Sequence, residues 1–195
     1  MRPQAIKLVL IPGIGVDERL FEPQRALLTP FSVPKWIDPR QEDTLESYAS
    51  RMADKIGPCD AIGGVSFGGM LAQAMAAAVG ARVVIGIATA RANRDIPGVL
   101  RFSESMARGI SSIRAAHGRA VIDLGFLGPL SERWHKLSVR MLMDASIDLV
   151  RAQAKMAVGW KGAPVPCPAK FIHGDRDVVI RPRTFKPDRI IRGGG

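Results

Sequence analysis

A chain of 195 residues, 47% apolar and 24% charged, has the length and balance of one globular domain with a core of ordinary size. Its two cysteines, Cys59 and Cys167, are far apart and belong to no C-x-x-C pair or histidine-rich tract, which argues against a disulfide framework and against a zinc site. The net charge of +10 is uneven: residues 1–90 balance nine Lys/Arg against nine Asp/Glu, 91–161 hold twelve against six, and 162–195 seven against three.

Ile6 to Ile11 is a short apolar, β-branched run closed by Pro12-Gly13 and reads as a buried strand. With Arg2 and Lys7 it loosely imitates a signal peptide. Pro12, Gly13 and Gly15 interrupt it, however, and no small-residue cleavage site precedes Asp17-Glu18-Arg19. No apolar stretch approaches the roughly 18 residues of a membrane span. Cytoplasmic residence in a reducing compartment, with no membrane association, is the expectation.

Asp17 to Leu28 follows as a helix ended near Pro30, and Phe31 to Ile37 as a weaker strand in which Pro34 argues for an edge. Asp43 to Ile56 is a clearer helix. Asp43 or Thr44 can cap it, Glu46 sits where a capping box wants it, and Leu45, Tyr48, Met52 and Ile56 form its apolar stripe. Cys59 to Gly64 is the next strand, Phe67 to Val79 an alanine-rich helix suited to close packing on a sheet, and Arg82 to Ala88 another strand. Strands alternating with helices at this spacing predict a parallel sheet with helices on both faces.

After Ala90 the rhythm breaks. From Arg91 to Lys161 the patterns are helical only, with Val99, Phe102, Met106, Ile110 and Ile113 on one stripe and Trp134, Leu137 and Met141 on another. A proline-rich return, Gly162 to Pro168, leads to a strand over Ala169 to His173 and a last one starting at Arg189.

Between the strand at 59–64 and the helix at 67–79 lies Gly64-Val65-Ser66-Phe67-Gly68. A serine on a sharp strand-to-helix turn is held in strained backbone geometry, and glycines on either side remove the Cβ atoms that would collide as strand and helix fold back. The turn lifts the hydroxyl clear of the sheet, and the unpaired N–H groups of the helix's first turn face an anion forming there. The bland reading is a Gly/Ser loop.

Three segments in order then carry a resemblance: Ile11-Pro12-Gly13-Ile14-Gly15 after the first strand, the Gly64–Gly68 elbow, and His173-Gly174-Asp175-Arg176-Asp177 after the penultimate strand. Over essentially its whole length the chain resembles the α/β-hydrolase superfamily. The resemblance implies an α/β core, a mostly parallel sheet built from residues 1–90 and 162–195, with a helical cap inserted over 91–161. It also implies a carboxylic ester or thioester substrate, no cofactor and no metal.

Residue by residue, the resemblance makes Ser66 the nucleophile, which needs an adjacent base. The backbone N–H groups of Phe67 and Ile14 would form the oxyanion hole, with Pro12-Gly13 standing where the family usually has His-Gly. Asp177 matches the acid that orients the catalytic imidazole, with Asp175 as the second candidate, more often a turn residue. His173 matches a strand-end position outside the triad, and His117 and His135 read as surface or core residues. A dinucleotide reading of Gly13-Ile14-Gly15 fails because Glu18 stands where a third small residue belongs.

One departure matters. Arg189-Ile-Ile-Arg-Gly-Gly-Gly195 resembles the last strand and the glycine turn that comes immediately before the family's catalytic histidine, so the expected base falls beyond residue 195 and the C-terminal end reads as cut short. The alternative is a catalytically impaired hydrolase-fold protein that binds a ligand or serves as a scaffold. The basic surplus adds a sharper version. Arg94, Arg101 and Arg108 recur every seven residues, as on one face of a helix, and the chain looks somewhat like esterases acting on methyl esters held by acyl carrier protein, an acidic partner. A solvated arginine face is the plainer account. Nucleic acid is not an expected partner, because aromatic residues are few and not interleaved with the basic ones.

Overall fold

A computed structural model describes residues 6–28, 30–96, 132–177, 179–180 and 186–194. Six strands form one sheet: β1 (Leu8–Ile11), β2 (Phe31–Ser32), β3 (Ala61–Val65), β4 (Val83–Ile87), β5 (Ala169–Gly174) and β6 (Arg189–Ile191). Their order is β2-β1-β3-β4-β5-β6, and every adjacent pair is parallel. The chain steps from β1 outward to β2, then returns across β1 to lay down β3 on the other side. Loops leaving the carboxyl ends of β1 and β3 therefore diverge, opening a crevice at the point where an open α/β sheet binds its ligands.

Among the described residues four helices accompany the sheet: α1 (Leu45–Ile56), α2 (Phe67–Met75), α3 (Glu132–Asp144) and α4 (Ile147–Gly159). The central strands are apolar throughout, as strands covered by helices require. Val9 and Ile11 of β1, Ile62 of β3 and Val84 of β4 join Tyr48 and Met52 of α1 and Leu71 and Met75 of α2 in one buried cluster. Met156 and Ala157 of α4, with Trp160 just beyond it, belong to the same cluster. The second half of the stretch expected as a helical insertion thus packs on the main core. The stripe from Val99 to Ile113, with Arg101 and Arg108, lies outside the described residues, as do His117 and the side chain of His135.

Local chemistry explains where elements differ from the sequence expectations. The helix expected over 17–28 is a 3-10 helix, Glu18–Gln24, with Pro23 inside it. Proline has no N–H for an α-helical bond. The Asp17 carboxylate accepts from Arg19 N at 3.0 Å, and this bond secures the start. Only Phe31 and Ser32 of the expected 31–37 strand pair, with Pro34 just downstream.

Helix α1 is capped by Thr44 in a capping box whose partner is Ser47, not Glu46. Asp43 stays outside the helix and supports it. Its carboxylate accepts from Arg40 N and Ser47 Oγ and pairs with Arg51. Burial alone would push this acid up, yet those donors hold it below the usual carboxylate range. Burial also pushes the Tyr48 phenol up to about 12, while its hydroxyl donates to Ile37 O at 2.8 Å.

Candidate active site

Ser66 occupies the bend between β3 and α2 with φ 55° and ψ −119°, a conformation that non-glycine residues adopt at a cost of about 1–3 kcal/mol. The glycines around it are enforced by backbone, not by flexible neighbours. A Cβ on Gly64 would stand 2.3 Å from Gly68 C, and one on Gly68 would stand 2.2 Å from Ile11 O and 2.3 Å from Pro12 O. The bend is then tied to β4. Ser66 N donates to Ile87 O at 2.9 Å, and Ser66 O accepts from Gly69 N at 3.0 Å and from Thr89 Oγ1 at 2.6 Å. The Ser66 side chain does not cap α2. Ser66 is half-buried, and its hydroxyl makes no hydrogen bond among the described residues.

The loop after β1 comes directly alongside. A Cβ on Gly13 would be 3.6 Å from Ser66 Cβ and 3.5 Å from Val65 O. Val16 N donates to Gly13 O at 3.4 Å, Trp36 Nε1 donates to Val16 O at 2.9 Å, and Gly15 N donates to Gln153 Oε1 at 3.0 Å. Ile14, between these anchors, packs against the core, and its N–H makes no hydrogen bond among the described residues. Phe67 opens α2, so its N–H is one of those a helix leaves unsatisfied. The Phe67 ring is fully buried and rests 6.1 Å from that of Trp36, centroid to centroid. The structure therefore brings the loop that carries Ile14 alongside Ser66 and Phe67 at the bend.

Asp177 lies in the loop at the carboxyl end of β5. One carboxylate oxygen accepts from Val179 N and Ile180 N, each at 2.9 Å, and the other is 3.2 Å from His173 Nε2. That same nitrogen is 2.7 Å from Ile180 O. Both neighbours are acceptors, so Nε2 carries the proton and donates. His173 is 1% exposed at the end of β5, where it braces the Asp177 loop. Asp175 serves the turn: its carboxylate accepts from Gly193 N at 2.7 Å, and its own N–H donates to Ile191 O at 3.2 Å. Asp177 shares the sheet's carboxyl edge with Ser66 but stands two strands away, roughly 10 Å by interstrand spacing. The structure does not join the two directly.

Sequence reasoning missed the residues that hold these groups. Gln153, Thr89 and Trp36 reach the site from distant parts of the chain and carry no local pattern. The His173–Asp177 pair, four residues apart, could have been found as two polar groups bracketing a turn. Among the described residues no group of three His, Cys, Asp or Glu side chains could hold a metal ion, and no helix is long and apolar enough to cross a membrane. One surface groove of about 870 Å³ runs between Arg19, Glu22 and Pro23 and the α3 residues Trp134, Lys136, Leu137 and Arg140. A second cavity, of about 610 Å³, is lined by Arg91, Arg94, Lys161 and Asp188 among others. Neither is lined by Ser66.

No family model matches this sequence, and no curated protein does. Solved structures do match. An esterase from Thermogutta terrifontis superposes with a TM-score of 0.73 at 18% identity, covering 97% of this chain and 82% of that one. An esterase from Exiguobacterium antarcticum gives 0.73 at 14% identity, covering 95% and 82%. MenH from S. aureus gives 0.71 at 11% identity, covering 100% and 88%. With the parallel sheet and the serine bend, these likenesses define the fold: the chain is an α/β-hydrolase-fold protein.

Proposed function

We propose that the chain is a serine hydrolase that cleaves a carboxylic ester or thioester through an acyl-enzyme intermediate. The observation that carries this reading is the strained Ser66, held at φ 55°, beside a glycine loop, with neither its hydroxyl nor the Ile14 N–H bonded among the described residues. Backbone strain at a non-glycine residue is costly, and such strain clusters where a function uses it.

In the proposed reaction Ser66 Oγ attacks the acyl carbon as a base takes its proton. The negative charge developing on the carbonyl oxygen falls between the N–H groups of Ile14 and Phe67, each worth about 3 kcal/mol when fixed in place beforehand. The proton passes to the departing alcohol or thiol, and water then hydrolyses the acyl-enzyme by the same steps in reverse. Asp177 would orient the base and stabilise its charged form.

His173 does not meet the need, since it is buried and already donates to Ile180 O. The reading therefore calls for a base other than His173. The turn after β6 lies beside the Asp177 loop, where Arg176 N donates to Gly194 O at 2.8 Å. Small to medium acyl groups are the proposed substrates. The exposed Arg94 and the basic surplus after residue 90 support an acidic carrier protein as the acyl donor.

A fluorophosphonate probe tests the chemistry. The full-length protein is expected to label at Ser66, and Ser66→Ala to abolish labelling. An unlabelled wild-type protein, or labelling that persists in Ser66→Ala, would overturn the reading and leave a ligand-binding or scaffold role.

A further inference from the structure

Gly15 turns the first loop with φ +67°, under a roof that leaves no space for a side chain. A Cβ there would stand 2.6 Å from Leu142 Cδ1 on α3 and 3.1 Å from Val150 Cγ2 on α4. The two helices thus close directly on the loop that carries Ile14. From α4, Gln153 reaches down so that its Oε1 accepts from Gly15 N at 3.0 Å, joining positions 138 residues apart. Gln153 is 0% exposed, and its Nε2 has no hydrogen-bond partner among the described residues.

A half-satisfied amide in a packed interior is unfavourable compared with an apolar side chain of the same shape. Leucine or methionine would fill the same space beside Val150 and Ala154 with no donor left over. The bonded half of the amide must therefore supply what packing does not. Its oxygen fixes the peptide plane between Ile14 and Gly15, while Trp36 Nε1 fixes the carbonyl of Val16 on the far side. The Ile14 N–H belongs to the preceding Gly13–Ile14 peptide, whose carbonyl accepts from Val16 N at 3.4 Å; with the next peptide clamped by Gln153, it has little freedom to swing.

We propose that Gln153 is a positioning residue of the oxyanion hole, holding the Ile14–Gly15 peptide so that the Ile14 N–H faces the carbonyl oxygen on Ser66. The proposal rests on the hydrolase reading above. A donor aimed beforehand at developing charge assists the transition state more than the bound substrate. Loosening it therefore acts on turnover, not on substrate affinity.

The test uses the full-length protein with p-nitrophenyl butyrate. Gln153→Met is expected to lower kcat about 10- to 100-fold, part of the 10²- to 10³-fold loss on deleting an oxyanion donor, with KM within about twofold. The rate of fluorophosphonate labelling at Ser66 should fall in parallel. An unchanged kcat, or a raised KM at constant kcat, would overturn the proposal. A second measurement needs no variant: the Gly15 amide of the wild-type protein should exchange with solvent slowly. Exchange as fast as that of an exposed loop amide would overturn the proposal even if Gln153→Met fails to fold. Wild-type labelling together with an unaffected Gln153→Met sinks only the positioning role, whereas an unlabelled wild-type protein sinks the hydrolase reading itself.

Discussion

At the carboxyl ends of β1 and β3, backbone meets backbone. Gly68 lies under Ile11 O and Pro12 O, Gly64 lies against Gly68, and neither contact can yield by turning a side chain. At the other end of the sheet, every residue of β6 is exposed, with Ile190 at 50% and Ile191 at 45%. That edge is held by hydrogen bonds to carboxylates: Asp175 takes Gly193 N, and Asp188 takes Phe171 N at 2.9 Å and Lys170 Nζ at 3.3 Å. Sterics fix the first region and polar bonds the second. The first should tolerate almost no added volume, whereas the second should respond to solvent conditions.

The sharpest test of that contrast adds one methyl group to each region. Gly68→Ala is expected to cost more than about 4 kcal/mol, enough to abolish folding in many domains, because its new atom would stand 2.2 Å from Ile11 O. Gly193→Ala, at φ +74° but with nothing within 4 Å, should cost about 1 kcal/mol. Urea denaturation of the two variants measures both. Equal costs would break the comparison.

A second change relieves strain instead of adding it. Ser66→Gly should raise stability by about 1 kcal/mol, since glycine accepts positive φ, while fluorophosphonate labelling disappears. Thermal unfolding reads the gain. His173→Asn is expected to cost about 1–3 kcal/mol by leaving Ile180 O and one oxygen of Asp177 short of a buried donor.

The smallest effect concerns acid. The Phe171 N–H, with Lys170 alongside, holds the Asp188 carboxyl below the usual carboxylate range. A depressed acid contributes stability that is present above its unfolded pKa of about 3.9 and lost as pH falls through the lower folded value. Amide exchange at Phe171 should therefore quicken below about pH 4, before the strands around Ser66 loosen. In Asp188→Asn that pH dependence should vanish.

Much of this architecture was legible because its causes are local. The alternation of strands and helices, the elbow glycines and the Thr44 cap follow from spacing and residue type. Other features depend on choices between neighbours. Asp17 takes Arg19, and Pro23 lacks an N–H, so a 3-10 helix forms where apolar periodicity suggested an α-helix. Thr44 and not Asp43 takes the cap, which shifts the capping-box partner from Glu46 to Ser47. The least legible features are the long-range ones. Nothing near Gln153 or Trp36 in sequence says that each would bond to the first loop, because those bonds exist only once α4 and the segment after β2 have docked.

The docking of Trp36 and Gln153 on the Gly13–Val16 loop bears on when the protein becomes competent. Residues 16, 36, 66 and 153 must all be in place before the cradle exists, so it depends on the docking of α4 as well as on the sheet. If the chain is the hydrolase proposed, activity would then be lost before the sheet unfolds. Under rising urea, turnover should fail at concentrations where the sheet is still intact.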